Sequence, residues 1–321
     1  MIGKLKLFLY KKVIYPYKVY KGHKKASALY KRTLREKRCY YGPFTGEFGH
    51  LLGHNLPFIS HLYSKGVAIE FCGLEIHKPF MVDDQNKSIV ASYASVRDFF
   101  RESAPDGSKA PEPADVKQLT DKFVNAAVTS GLPYWSHSDH FEYFESFRWW
   151  ALKKGYTKTF DLSKVYKSAD EDAVVIFPRK INPNFPHKVK DQLKNNGELW
   201  NYQQVAETAA KHFSKVYIIG HPAFSADDLT PTDKIEICLT NDNKFILEKC
   251  CNSKVIITPH SGTVYLGEYT NTQVLIIYKG GRTIGDIEIT KQFKKGLGKR
   301  SSFNYAYTIE EIDSFLKKSK Q

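Results

Sequence analysis

Four stretches of the chain combine residue types that can do chemistry. Thr258-Pro259-His260-Ser261-Gly262-Thr263 follows an apolar run and precedes a short helical stretch. Backbone N–H groups at a helix start, two hydroxyls, a histidine and a glycine that opens the approach together suit a phosphate. Glu268, on the helix behind, either accepts a sugar hydroxyl or faces solvent. Pro178-Arg179-Lys180 ends another apolar run, and two adjacent cations there suit a phosphate clamp. Gly220-His221 ends a third, where glycine lets a ligand approach the backbone. The fourth stretch, residues 41–57, carries Gly42, Gly46, Gly49 and Gly53 and reads as an open turn into a helix that Pro57 limits. On such a helix Glu47, His50 and His54 share one face at i, i+3 and i+7. Glu47 is then a candidate general base, with His50 able to tune or relay its proton. The plainer alternative is that the histidines pack against aromatic rings and Glu47 caps the helix.

Other chemistries are disfavoured. His50 and His54, and likewise His137 and His140, have helical ligand spacing, yet no HExxH order occurs and no cysteine joins them, so no metal site is expected. Cys39, Cys72, Cys238, Cys250 and Cys251 form no CxxC pair and are odd in number, which predicts reduced, mostly buried thiols rather than disulfides or nucleophiles. There is neither a GxxxxGK[ST] nor a GxGxxG motif, so P-loop kinases and dehydrogenases are disfavoured.

The elements that would position these loops are clearest in the second half. Short apolar runs at 173–177, 215–220, 234–239, 254–258 and 273–278 alternate with helical spacing at 202–213 and 243–251. That rhythm predicts a parallel sheet with right-handed crossovers, a Rossmann-like domain whose ligands bind beyond the strands' carboxyl ends. The first half mixes a strand at 66–72, a Pro- and Gly-rich surface loop at 104–114 and helices at 115–130 and 140–154. At 321 residues, two domains are expected, at 39–165 and 166–300. A basic segment, 1–38, precedes them, and a final amphipathic helix occupies 301–321.

Charge is concentrated rather than spread. The whole chain carries 48 Lys+Arg and 34 Asp+Glu, a net +14; residues 1–38 hold 13 basic residues and one acid, Glu36, which leaves 35 and 33 for the rest. The body is nearly neutral, and the basicity is local. Its lysines alternate with Leu5, Leu7, Phe8, Leu9, Val13, Ile14, Tyr15, Tyr17 and Tyr20, a composition suited to an anionic membrane surface. Residues 24–38 are helix-compatible, and Pro16 is expected to separate them from the more apolar piece before it. No uncharged apolar run reaches the ~18 residues of a membrane span, and no continuous signal-peptide core opens the chain. The expectation is a cytoplasmic protein, peripheral on the inner face of the cytoplasmic membrane.

From Val174-Val175-Ile176-Phe177-Pro178-Arg179, through Val216-Tyr217-Ile218-Ile219-Gly220-His221, to Val255-Ile256-Ile257-Thr258-Pro259-His260-Ser261-Gly262, the second half resembles the donor domain of GT-B glycosyltransferases. It looks most like the heptosyltransferase-type enzymes of bacterial surface polysaccharide assembly, with His260 standing where that family has an acidic residue. The resemblance implies an α/β GT-B fold, two Rossmann-like domains facing a central cleft. It also implies that His260, Ser261, Gly262 and Thr263 contact a nucleotide-sugar diphosphate, that Arg179 and Lys180 supply cations to the leaving group, and that Glu47, in Gly46-Glu47-Phe48-Gly49, is the base. In such enzymes the last helix often folds back across the domain junction. The expected activity is transfer of a sugar from a nucleotide-sugar donor to a glycan or lipid-linked acceptor, metal-independent, inverting and without a further cofactor. The rival readings are a non-catalytic nucleic-acid binder using the basic arm, which the neutral body opposes, and a sugar-nucleotide epimerase holding a nicotinamide cofactor.

Overall fold

A computed structural model describes residues 10–46, 48–99, 112–136, 150–178, 200–220, 228–278 and 303–320. The chain enters through a π turn, Tyr10–Ile14, that continues into helix α1 (Tyr15–Glu36). Pro16 does not separate two pieces as expected. It sits in the first turn of α1, where its missing N–H costs no helical bond, and the wider turn before it carries the helix through. Lys37 adopts a left-handed conformation (φ 55°) and its N–H bonds the Thr33 carbonyl, which ends α1 and starts strand β1 (Arg38–Phe44) at once. Residues 41–44, expected as part of a turn, therefore belong to the first strand of a sheet.

Next come a single turn Phe48–His50, a π turn Leu51–Asn55 and helix α2 (Leu56–Ser64). Strand β2 (Ala68–Leu74) lies two residues beyond the expected run; β3 (Ser92–Val96), helix α3 (Ala114–Thr129) and the short β4 (Tyr134–Trp135) complete the first layer. Burial at Val116, Thr120, Phe123 and Ala127 gives α3 its inner face. These strands form one parallel sheet in the order β3-β2-β1-β4.

The second sheet is parallel, in the order β10-β9-β8-β5-β6-β7. Its elements are β5 (Ala173–Ile176), α4 (Tyr202–Ala210), β6 (Lys215–Gly220), β7 (Ile235–Leu239), α5 (Asn243–Asn252), β8 (Val255–Pro259), α6 (Leu266–Thr270), β9 (Gln273–Ile277), β10 (Phe303–Ala306) and α7 (Ile309–Ser319). Caps fix the helix starts: the Asn201 side chain accepts from Gln204 N–H, Asp242 from Lys244 and Phe245, and Thr308 from Glu311. Strands β5, β8 and most of β6 and β9 are buried on both faces, the hallmark of a covered parallel sheet.

Beyond residue 300 the helix is preceded by β10, the sheet's sixth strand. Nor does α7 fold back over the junction. Its Ile312 and Leu316 pack with Tyr202, Val205 and Ala209 of α4, and Asp313 bonds His212 at 2.8 Å. The cysteines are free thiols, four of them buried, and burial pushes Cys39 and Cys72 up to about 12.

Candidate functional site

Both sheets are wound the same way. In the first, the chain runs β1, β2, β3 outward and then returns to place β4 on the other side of β1; in the second it runs β5, β6, β7 and returns to place β8 on the other side of β5. The order reverses beside the first strand of each, and the crevice at such a switch, beyond the carboxyl ends, is where open α/β sheets bind ligands. The segments there are the one following β1 and those following β5 and β8.

The segments from β1 and β8 touch. A methyl group on Gly49 would lie 2.5 Å from the Gly262 Cα, and one on Gly262 would lie 2.7 Å from the Gly49 nitrogen, so only glycine fits at either position. One turn later a methyl on Gly53 would meet the Tyr265 ring at 2.6 Å, and the Tyr269 hydroxyl donates to the Leu52 carbonyl at 2.8 Å. The glycines at 49 and 53, expected to open a ligand turn, are thus the contact points where a helix from one sheet seats on the loop of the other. No local pattern marks Tyr265 and Tyr269 as partners, although the i, i+4 glycines mark a close approach.

The helical face expected for Glu47, His50 and His54 is interrupted by the π turn. Pro57 has no N–H to offer the Gly53 carbonyl, and Leu56 N–H instead reaches back to Leu51. Asn55 holds this turn from within: its amide donates to the His50 carbonyl at 3.0 Å and its carbonyl accepts from the Tyr41 hydroxyl at 2.9 Å. His50 is exposed and His54 buried, their rings edge-on at 5.6 Å. Glu47 lies outside the described residues, as do Arg179, Lys180 and His221.

In the loop after β8, the Thr258 and Thr263 hydroxyls share a hydrogen bond of 2.5 Å, Ser261 and Thr263 one of 2.6 Å, and Thr258 and Ser261 one of 3.3 Å. Thr258 is buried, while His260, Ser261, Gly262 and Thr263 are half-buried. The expected helix behind them is a 3₁₀ turn, Gly262–Tyr265, followed by the five-residue α6. A run this short aligns few peptide dipoles, so the loop's offering is its hydroxyl cluster and bare glycine backbone. His260 stacks obliquely near Tyr278, ring centroids 6.2 Å apart. Glu268 does not face solvent: it is fully buried on α6 beneath the loop.

Gly220 is buried at the end of β6, its carbonyl accepting from Thr240 N–H at 2.8 Å. Because Ile176 pairs with both Ile218 and Ile257, Gly220 and Pro259 stand level on one edge, two residues beyond. Among the described residues no three His, Cys, Asp or Glu side chains converge as a metal would require. No described helix is long and apolar enough to cross a membrane.

No family model matches the chain, and no curated protein does. Among solved structures, E. coli heptosyltransferase WaaC with ADP superposes with a TM-score of 0.54 at 11% identity, over 88% of this chain and 99% of that one. E. coli ADP-heptose lps heptosyltransferase II aligns over the same shares at 10% identity, with a TM-score of 0.47. At such identities the first likeness shows a shared fold, the GT-B arrangement of two facing α/β sheets, and nothing finer.

Proposed function

We propose that this protein is a glycosyltransferase that moves a sugar from a nucleotide-sugar donor to a glycan or lipid-linked acceptor, the latter met at a membrane's cytoplasmic face. The observation that carries the reading is the meeting of two switch-point loops, one from each sheet, at Gly49 and Gly262. The likeness to a solved structure that holds ADP supports it.

Transfer needs negative charge stabilised on the departing diphosphate and a base for the acceptor hydroxyl. In this reading Arg179 and Lys180, which follow β5, neutralise the phosphates across the switch point from Ser261 and Thr263, whose hydroxyls donate to phosphate oxygens. Gly220 and His260 border the same edge, and His221 follows Gly220 in sequence. Glu47 takes the acceptor proton from the first sheet's side, with exposed His50 beside it to pass the proton to water. A base opposite the donor gives inversion at the anomeric carbon, and the cations take the place of a metal ion. Glu268, being buried, supports the loop from beneath.

The test is thermal stabilisation by UDP, GDP, ADP, CMP, dTDP and NAD, with and without magnesium, followed by transfer assays. One nucleoside diphosphate at about 100 times its dissociation constant should add about 2.7 kcal/mol, unaffected by EDTA. Arg179→Ala and Glu47→Gln should each lower transfer by about 10²–10⁴-fold with melting unchanged. Transfer undiminished in both variants would refute these roles, and a shift with NAD alone would point to the epimerase instead.

A further inference from the structure

The second half of helix α1 is buried against the body. Ala26, Tyr30 and Thr33 are buried; the Tyr30 hydroxyl bonds His61 Nε2 at 2.8 Å, Trp135 donates to Thr33 at 3.1 Å and Trp150 to Ser27 at 3.0 Å. From Lys12 to Lys18, by contrast, every residue is exposed. Large apolar side chains lie in the open there: Val13 is 58% exposed, Ile14 44%, Tyr17 56% and Tyr20 64%. Tyr17, Lys21, Lys24, Ala28, Lys31 and Arg35 follow at spacings of three and four, on the helix face opposite Ala26, Tyr30 and Thr33. No acidic residue precedes Glu36, whose carboxylate is held by Arg32 at 2.8 Å.

The direction of α1 matters as much as its surface. Lys37 at its end donates to the carbonyl of Lys65 just past the end of α2, at 2.8 Å, and Tyr30 packs on Phe58, so both contacts pair residues 28 apart in number. The two helices therefore run side by side in the same direction. Because α1 leads straight back into β1, which is parallel to β2, the exposed first turns of α1 lie toward the carboxyl ends of the first sheet's strands, the side of the cleft.

We propose that this exposed first half of α1 binds an anionic lipid bilayer and thereby turns the cleft edge of the first sheet toward the membrane. The chemistry favours a lipid surface over nucleic acid because the cations are joined by aliphatic and tyrosyl side chains at the helix tip. Val13 and Ile14 give a nucleic-acid backbone nothing, whereas a headgroup boundary takes both the apolar tip and the lysines. The proposal deepens the transferase reading by naming the surface where a lipid-linked acceptor would be met, but it does not depend on catalysis.

The test is co-sedimentation of the full chain, without any sugar donor, with phosphatidylcholine vesicles that do or do not contain 30% phosphatidylglycerol. Binding should need the anionic lipid and weaken steeply with salt. Substituting Lys18, Lys21, Lys24 and Lys25 with Glu should lower partitioning at least about a hundredfold, since each lysine near such a surface is worth roughly fivefold. The set Val13→Ser, Ile14→Ser, Tyr17→Ser and Tyr20→Ser should lower it at every salt concentration, with melting unchanged because these side chains are exposed. Equal binding to neutral vesicles, no binding to anionic ones, indifference to both sets of substitutions, or tighter binding to nucleic acid at matched ionic strength would each overturn the proposal. Because no transfer is measured, any of these results leaves the transferase reading standing.

Discussion

The two loops that meet at the cleft are held by different forces. The loop after β8 is tied to itself by side-chain hydroxyls and stays half-buried, so its polar groups remain within reach of a ligand. The segment after β1 is held by packing: Leu51 and Leu52 are fully buried, Gly53 lies against Tyr265, and Asn55 locks the π turn. Among the described residues, one loop exposes hydroxyls and the other is packed in place. Changes at the packed residues 49–55 should therefore appear as lost stability or lost docking, and changes at the hydroxyls of the second loop as lost ligand binding.

Acid should separate the two sides most strongly. His61 and His77, both on the first sheet's side, are buried and neutral. Burial, helped by the Lys65 and Lys158 charges, pulls His61 down to about 4, and burial alone pulls His77 down to about 3. Burial, with the neighbouring Tyr156, pushes Tyr30 up to about 12, so its hydroxyl keeps its proton in the hydrogen bond it shares with neutral His61. Both histidines have folded values below the unfolded one near 6.5. Their contribution is complete above pH 6.5 and is lost as pH falls, because the unfolded chain takes up protons that the folded one refuses. Each costs up to about 1.4 kcal/mol per pH unit between roughly 6.5 and 4. On the second side His212 is only partly buried and bonds Asp313 near the surface. Hydrogen exchange as pH is lowered should show β1 and β2 losing protection before β6 and β8, and His77→Phe should flatten the slope. Simultaneous loss in both sheets would erase the distinction.

Next in size is the glycine contact. Gly49→Ala and Gly262→Ala each push a methyl into backbone that cannot rotate away, at a cost of about 1–3 kcal/mol by denaturant unfolding. Gly53→Ala meets a tyrosine ring instead and should cost less, with Tyr265→Leu recovering part of it in a double-mutant cycle. Full additivity at Gly53 and Tyr265 would mean that the ring and the helix do not meet in solution.

This asymmetry also governs what the sequence discloses. The second sheet is legible because strands buried on both faces, such as Val255-Ile256-Ile257, are short apolar runs between helices. The first sheet is legible only at β2: β1 is Arg-Cys-Tyr-Tyr-Gly-Pro-Phe, whose Gly-Pro pair reads as a turn, β3 buries only Val96, and β4 is two residues long. Ser261 and Thr263 could be picked out because hydroxyls and glycine after a strand have a recognisable use, whereas Thr258, at the end of the strand itself, could not. The partner of Gly49 could not, since a backbone contact between residues 213 positions apart leaves no local pattern. Glu268 failed for a related reason: on so short a helix, spacing does not tell the buried side from the open one.

The smallest expected effect on stability is the sharpest on function. Thr263 sits between Thr258 and Ser261, and Thr263→Val keeps its shape while removing the hydroxyl both neighbours use. Thr258 keeps its bond to the Pro259 carbonyl at 2.9 Å, and half-buried Ser261 can turn to water, so the fold should lose no more than about 1 kcal/mol. If the cluster donates to the donor's phosphates, diphosphate-induced stabilisation should shrink and transfer fall by about tenfold or more, since a donor aimed at developing charge is worth more than its share of stability. Ser261→Ala should behave alike. A Thr263→Val protein that melts several degrees lower yet binds diphosphate as before would reverse the assignment of roles, making the second loop a structural clasp and moving the search for the phosphate site to the segment after β5.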